Sequence, residues 1–425
     1  MAEKGKRCSE VYNIAHKLES REIGKRVGIR NAHSGIKFRN FQLQKKFDTD
    51  QPSEIIQIVS ARSIIFALAE SGLCAAFDRH TNKKLCYLNL INPPEQILRL
   101  YHNNENNSFI TISAHSSRKF PIIKCRTIPL ECIRRAQPDS GFALFEGEKL
   151  ICPDSVRFDK INGKVLTFSA KHHIYKVFDL KNYELLYSIS DKEIVDIIIS
   201  SGLMLLAFKK TACGSSLPVK ILSIEDGKVL KSFHHALVPN KTVHFVGLFH
   251  DKIFVKQEKE CLQMVDVQSG KVIELRKQEL EKHSSFIFFH GKRLFLTFHS
   301  GMVFVWNLQG EVVASYRNHL LQIFPGCMVQ LTHDEELFLS YNKIRKSDKR
   351  ECSINIINTL TGNCCAKIGG NDSDVGKSCR NRSNLSLMQN TVQDVLENTT
   401  AFFYDEERNE VYTGNENGFI HIWSN

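Results

Sequence analysis

Short apolar segments recur along this chain in pairs, each pair joined by a polar turn that often holds Gly or Asn. VKILSIEDGKVLKSF (219–233) turns at Asp226-Gly227, LQMVDVQSGKVIEL (262–275) at Gly270, MVFVWNLQGEVVASY (302–316) at Gly310 and INIINTLTGNCCAKI (354–368) at Gly362. CAAFDRHTNKKLCYL (74–88) has Asn82 where the others have Gly, and in YKVFDLKNYELLYSI (175–189) Asp179 ends the first segment. Tight hairpin turns need a residue at positive φ, which Gly and Asn supply at least cost, so each pair predicts a β-hairpin.

Two more apolar segments precede the hairpin wherever the pattern is clearest. They are SSFIFFH (284–290) and RLFLTF (293–298) before the hairpin at 302, and TVHFVGLF (242–249) and KIFVK (252–256) before the one at 262. Each repeat therefore predicts four short strands. The hairpins begin at 74, 175, 219, 262, 302 and 354, and a degenerate member, IIKCRTIPLECI (122–133), fills the widest gap. The resulting step of roughly 40–55 residues is the size of one four-stranded propeller blade.

FFYDEERNEVYTGNENGFIHIW (402–423) resembles a repeat of the WD40, or transducin-like, β-propeller family, through Asp405, Thr413, Gly414, Gly418 and Trp423. LFLTFHSGMVFVWN (294–307) resembles it through Gly301 and Trp306. By architecture the resemblance spans about residues 38–425, and its style is similar to plant transducin-like proteins. The family's Gly-His dipeptide is missing from its usual place, two repeats keep the Trp, and Asn417 stands where the family often has Asp.

The resemblance implies an all-β fold: a single WD40-like propeller over 37–425 whose last blade takes its outer strand from the N-terminal side. KFRNFQLQKKF (37–47) offers such a strand, with Phe41, Leu43 and Phe47 on one face, and is expected to pair with residues 419–424. Such pairing removes exposed strand edges. Seven hairpins and this composite blade make eight blades; seven is the alternative, because the 122–133 hairpin is weak. Outside the blades, residues 1–36 form a basic arm, in which SEVYNIAHKLESREIGKRV (9–27) has apolar residues at 11, 14, 15 and 18, a helical spacing. In 134–153, FALF is either part of an insertion or the true outer strand of the second blade. Residues 369–398 are a polar insertion; its first part is expected to be mobile, and its second part to form a short helix through Leu387, Val392, Val395 and Leu396.

Charge adds one feature. The chain of 425 residues carries a formal net charge of +11, and the first fifty residues hold 12 Lys/Arg against 6 Asp/Glu. KIRKSDKR (343–350) concentrates Lys343, Arg345, Lys346, Lys349 and Arg350 around one acid, and GKSCRNR (376–382) holds three more bases. A basic segment can meet nucleic acid, an acidic protein or a membrane surface; the plainer account is a solvated face. The 343–350 loop is the candidate partner-binding element.

The search for chemistry returns little. His172-His173, His234-His235 and Cys364-Cys365 are adjacent pairs, and neighbours on a strand point to opposite faces, a poor grip for one metal. The sequence shows no nucleophile elbow, zinc-protease helix, phosphate loop or dinucleotide fingerprint. Phe178-Asp179-Leu180-Lys181 is a weak likeness to the WD-x-Arg sequence by which some WD40 proteins dock on a cullin-ligase adaptor; an ordinary turn explains it as well. Thirteen Cys without a CxxC pair suit reduced thiols. The first residues, MAEKGKRCSE, lack the apolar core of a secretory signal, and no apolar run nears the ~20 residues of a membrane span.

The expectation is thus a non-catalytic protein-interaction scaffold, with the substrate receptor of a ubiquitin ligase as its more specific form. It carries no catalytic, cofactor or metal residues, works in the cytoplasm and/or nucleus, and is a monomer within a larger protein complex. The alternative is an RNA-associated or ribosome-assembly factor that uses the basic arm and loops. Deleting 371–384 is expected to leave soluble yield and thermal unfolding unchanged; a collapse in yield would show that this insertion belongs to a blade.

Overall fold

A computed structural model of the chain describes residues 34–37, 53–89, 95–115, 122–146, 150, 155–169, 172–208, 215–275, 286–299, 302–317, 328–346, 349–369 and 392–423. The expected helix at 9–27, the GKSCRNR stretch, and residues 38–47 of the expected closing strand lie outside them.

The described residues form eight four-stranded antiparallel sheets. This is the all-β, eight-bladed propeller class that the repeat spacing predicts. Seven blades run in simple sequence order, each strand beside the next: 55–87, 95–144, 156–190, 194–236, 243–274, 286–317 and 328–369. The eighth is composite. Its strands Thr399–Asp405, Glu410–Asn415 and Phe419–Trp423 are completed by Ser34–Lys37, which pairs antiparallel to the last of them, Ser34 opposite Ile422 and Lys37 opposite Phe419. The expected pairing with 419–424 therefore holds, but the partner strand lies at Ser34–Lys37 and shares only Lys37 with the expected 37–47. Its first three residues fall within the stretch that the sequence assigned to the basic arm.

The chain divides into two compact units. One, residues 40–315, contains the first five blades and nearly all of the sixth. The other, residues 1–39 with 316–425, contains the seventh and eighth blades and the completing strand.

A second strand such as Ile64–Ala69 (IIFALA) is buried at every position, because both faces of its sheet are covered. The period-2 alternation of a strand then sends alternate side chains to different neighbours. In the fifth blade Ile253 and Val255 pack with Leu205, Val219 and Ile221 of the fourth, while Phe254 between them packs with Phe295 and Trp306 of the sixth. In the fourth, Met204 and Leu206 pack with Leu166 and Val177 of the third. The core of each unit is thus a series of layers between successive blades.

Turn chemistry repeats with the blades. In the first, third, fifth, sixth and seventh blades an Asp or Asn ends the third strand and folds its side-chain oxygen back onto turn amides. Asp78 Oδ1 accepts from Thr81 N, Asp266 Oδ1 from Ser269 N, Asn307 Oδ1 from Gln309 N and Asn358 Oδ1 from Thr361 N, at 2.6–3.0 Å. In the third and fifth blades a Lys at the start of the second strand faces this Asp across the ladder: Lys164 faces Asp179, and Lys252 is ion-paired to Asp266. The hydrogen bonds of Asp266, led by that from Lys252, hold its carboxyl well below the usual range.

The turn glycines also receive the neighbouring blade. The ring of Tyr187, on the outer strand of the third blade, lies so close to Gly227 in the fourth that an added Cβ would sit 2.6 Å from it. The Tyr187 hydroxyl donates to Ile224 O at 2.7 Å. Tyr316 repeats this arrangement, its ring against Gly362 and its hydroxyl donating to Thr359 O at 2.9 Å. The corresponding turn of the third blade holds no Gly: Tyr183 itself takes φ 61° and hydrogen-bonds through its hydroxyl to Ser108 and Asn103 of the second blade.

Trp306 and Trp423 are 2% and 5% exposed, and each indole N–H donates to a Thr hydroxyl on the adjacent strand, Thr297 at 2.8 Å and Thr413 at 2.9 Å. Phe77, Phe178 and Ile357 hold the corresponding ladder position in other blades.

The second blade corrects the sequence-based expectation. IIKCRTIPLECI is not a hairpin: strand Ile122–Pro129 runs into helix α1, Leu130–Arg134, and the outer strand is Phe142–Leu144. Pro129 cannot donate to a further ladder, and Leu130 and Ile133 instead bury between the first two blades. FALF therefore supplies the outer strand, the second of the two placements the sequence left open.

Gly270 and Gly362 separate backbone from packing. Both take positive φ, 74° and 71°, but a Cβ at Gly270 meets nothing within 4 Å. Gly270→Ala is expected to lower stability by about 1–2 kcal/mol, for the left-handed backbone alone. Gly362→Ala adds the collision with Tyr316 and is expected to cost about 2–5 kcal/mol. Urea unfolding of the two variants checks the difference; equal losses would mean that the Tyr316 contact does not bear on stability.

Candidate functional site: a basic ribbon on the seventh blade

The seventh blade contains the two longest strands among the described residues, Leu337–Lys346 and Lys349–Asn358, ten residues each. They pair in unbroken register from Leu337 opposite Asn358 to Lys346 opposite Lys349. Their neighbours stop earlier. The first strand, Met328–Leu331, reaches Tyr341, and the outer strand, Cys364–Gly369, reaches Ser353. From Lys343 opposite Cys352 onward, four residue pairs have, among the described residues, no further strand on either side. At ~3.4 Å per residue, a two-stranded ribbon of about 14 Å continues past the four-stranded sheet.

The five basic residues singled out in the sequence all lie on this ribbon. Lys343 and Arg345 are two apart on one strand, Arg345 stands opposite Arg350, and Lys346 stands opposite Lys349. The sequence suggested a loop here; residues 343–346 and 349–350 are instead strand. Two consecutive cross-strand pairs are like-charged, an arrangement that destabilises a sheet by itself. A two-stranded ribbon is also marginal in water without a covering surface.

The base of the ribbon is fastened to helix α2, Val392–Glu397, the short helix expected at the end of the insertion. Val395 and Leu396 bury against Tyr341, Cys352 and Ile354. A helix leaves its last four carbonyls without intrahelical partners. Here all four are satisfied: Asp394 O by Asn398 N, Val395 O by the Thr399 hydroxyl, Leu396 O by the Tyr341 hydroxyl at 2.6 Å, and Glu397 O by Lys343 Nζ at 2.8 Å. Burial pushes the Tyr341 phenol far above its ordinary value, so it stays a donor. Lys343 is exposed, yet its amine has this structural task, which its place in a basic run did not signal.

The other sequence candidates fall into structural roles. His234 is exposed on the outer strand of the fourth blade, while His235 is buried with Nε2 2.9 Å from Gln263 Oε1, so the pair splits between two faces. Burial pushes the His235 imidazole down. Cys364 is exposed and Cys365 half-buried. Asp179 Oδ1 accepts from Lys181 N at 2.6 Å, an ordinary Asx turn, and Phe178 packs in the core. Among the described residues, no group of three or more His, Cys, Asp or Glu is placed to hold a metal, and no helix is long and apolar enough to cross a membrane.

Solved structures similar to this one include a computationally designed protein, Ika8, at 15% identity and a TM-score of 0.51, covering 88% of this chain and 97% of that one. The C-terminal WD40 domain of Sif2 matches at 10% identity and a TM-score of 0.49, covering 88% of this chain and 97% of that one. BamB from Moraxella catarrhalis matches at 11% and 0.43, covering 92% and 96%. At these identities the likeness concerns the fold alone. No curated protein matches the sequence significantly.

Tyr341→Phe removes the donor to Leu396 O and leaves a buried carbonyl unpaired, at a cost of about 1–3 kcal/mol. Chemical denaturation is expected to show that loss, and hydrogen exchange to show faster exchange in 392–398 than in the first five blades. Unchanged exchange there would remove α2 as the support of the ribbon. Residues 26–423 match the family described as a domain of unknown function, DUF7899, and the chain belongs to that family.

Proposed function

We propose that this protein is a non-catalytic interaction scaffold that presents the ribbon of the seventh blade to an acidic protein partner. One observation carries the proposal: four residue pairs extend past the supporting sheet, and the last two of them are like-charged. Such a pairing is at odds with its own stability and becomes favourable when carboxylates of a partner lie between the bases. The blades beneath supply a rigid base, and function on such a fold resides in the segments that leave it.

The Trp–Thr hydrogen bonds of the sixth and eighth blades support reading the repeats as WD40-like. In this reading the protein works in the cytoplasm or nucleus as one subunit of a larger complex. A substrate receptor of a ubiquitin ligase is its more specific form. The alternative, an RNA-associated or ribosome-assembly role, draws on the same five bases.

Affinity purification from the protein's own cells, with and without nuclease, separates these. The tagged protein is compared with a variant carrying Arg345→Glu, Lys346→Glu, Lys349→Glu and Arg350→Glu, which spares the structural Lys343. Protein partners that survive nuclease and are lost with the variant support the scaffold. A ribonucleoprotein set that vanishes with nuclease, and whose affinity falls steeply with salt, would replace it with the RNA role. Partners unaffected by the variant would remove the ribbon from the interface.

A further inference from the structure

The outer strand of the fourth blade, Val229–Ala236, is eight residues long, whereas among the described residues the outer strands of the other blades have three to six. It ends its sheet, with no strand beyond it among the described residues. A strand in this place pairs half of its backbone groups inward and presents the other half outward. The ladder shows which half is which. Leu237 N donates to Ser215 O at 2.8 Å, and the register then runs unbroken from Ser216 opposite Ala236 to Ile221 opposite Lys231. Antiparallel pairs alternate between bonded and non-bonded, so 217–235, 219–233 and 221–231 are the bonded pairs. Pro218, which has no N–H to give, falls in the non-bonded pair with His234, in keeping with this phase. Ser232, His234 and Ala236 therefore turn both N–H and C=O away from the blade.

The side chains sort the same way. Lys231 donates to Gln268 O, Phe233 packs in the layer shared with the fifth blade, and His235 Nε2 lies 2.9 Å from Gln263 Oε1, so the odd positions are committed to that blade. Ser232, His234 and Ala236 are exposed. Sheet edges are commonly blunted by an outward charge, a Pro, a bulge or short length. This edge has no Pro, and no Asp, Glu, Lys or Arg at its outward positions; its bulge, at Leu230, precedes them. Exposed apolar residues lie at both ends, Leu230 before the run at 57% exposure and Val238 after it at 37%.

Such an edge matches an antiparallel copy of itself. A two-fold axis through His234 sets His234 opposite His234 and Ser232 opposite Ala236, so that every outward N–H meets an outward C=O, two bonds to each pair. No acid or base opposes its like, and Leu230 of each copy comes to the end where Val238 of the other is exposed. A strand of another protein would meet the same backbone without this built-in match of ends. We infer that the protein forms a two-fold dimer in which the fourth blades of two copies join edge to edge through Val229–Ala236, their sheets becoming one. The same patch then serves both copies, as a closed two-fold contact requires. This departs from the monomer expected from the sequence, and it is independent of the ribbon.

Sedimentation equilibrium on the full chain, over about a hundredfold range of concentration, is expected to show reversible dimerisation. Ser232→Pro removes an outward N–H from each copy, a change an edge strand tolerates, and is expected to weaken the dimer about tenfold or more. His234→Glu and His234→Lys each oppose like charges across the axis and are each expected to weaken it, whereas an equal mixture of the two variants associates at least as tightly as the unaltered chain. Thermal unfolding of each variant confirms folding; should Ser232→Pro fail to fold, the charge pair decides alone. A chain that stays monomeric throughout overturns the inference and leaves the edge to a strand of another protein. A dimer indifferent to Ser232→Pro, or a mixture that associates no better than its two components, overturns it as well.

Discussion

A four-stranded sheet of this size has two apolar faces and no means of covering either. The rest of the structure follows from that constraint. Within each unit a blade borrows its core from its neighbours, so successive side chains on one strand enter different hydrophobic layers, as Ile253, Phe254 and Val255 do. Burial favours this pattern by roughly 1.5–3 kcal/mol for each large side chain removed from water. The polar details then serve alignment. Asx turns fix where each hairpin reverses, and Tyr187 and Tyr316 key one blade's edge into the next blade's turn.

Much of this was legible in the sequence, because period-2 alternation, turn residues and repeat length report the same constraint. The hairpins at 74, 175, 219, 262, 302 and 354, and the strands before 262 and 302, were placed on that basis. Where a residue served two purposes, legibility failed. LECI after Ile122–Pro129 has the apolar content of a strand, but Pro129 ends the ladder and the apolar residues bury from a helix. The completing strand was set three residues too late because 37–47 is richer in Phe, whereas Ser34–Lys37 takes its place through backbone pairing, to which composition is nearly blind. Tyr183 at positive φ gave no signal, because the hydroxyl partners that hold it come from another blade.

The basic ribbon was half legible. Charge marked 343–350, but the sequence could not show that four pairs of residues outrun their neighbouring strands, since that depends on where the first and outer strands of the blade end. Nor could it separate Lys343, which closes a helix carbonyl, from the four bases beyond it.

The pairing of Ser34–Lys37 with Phe419–Ile422 has a kinetic meaning. Ile36 meets Ile420 across 384 positions of chain (420 minus 36), while every other strand pair among the described residues is made between segments adjacent in sequence. During synthesis the first of these two strands emerges early and must wait, unpaired, until the other is made. Contacts of such long sequence separation form slowly, since the entropy of closing the loop is lost before any pairing is gained. The seam of the eighth blade is therefore the last ladder to form as the protein is made, and among the described residues it holds four residue pairs. A peptide that mimics residues 34–37 would compete for the waiting edge at Phe419–Trp423 only in that interval, since the mature seam has its own strand in place.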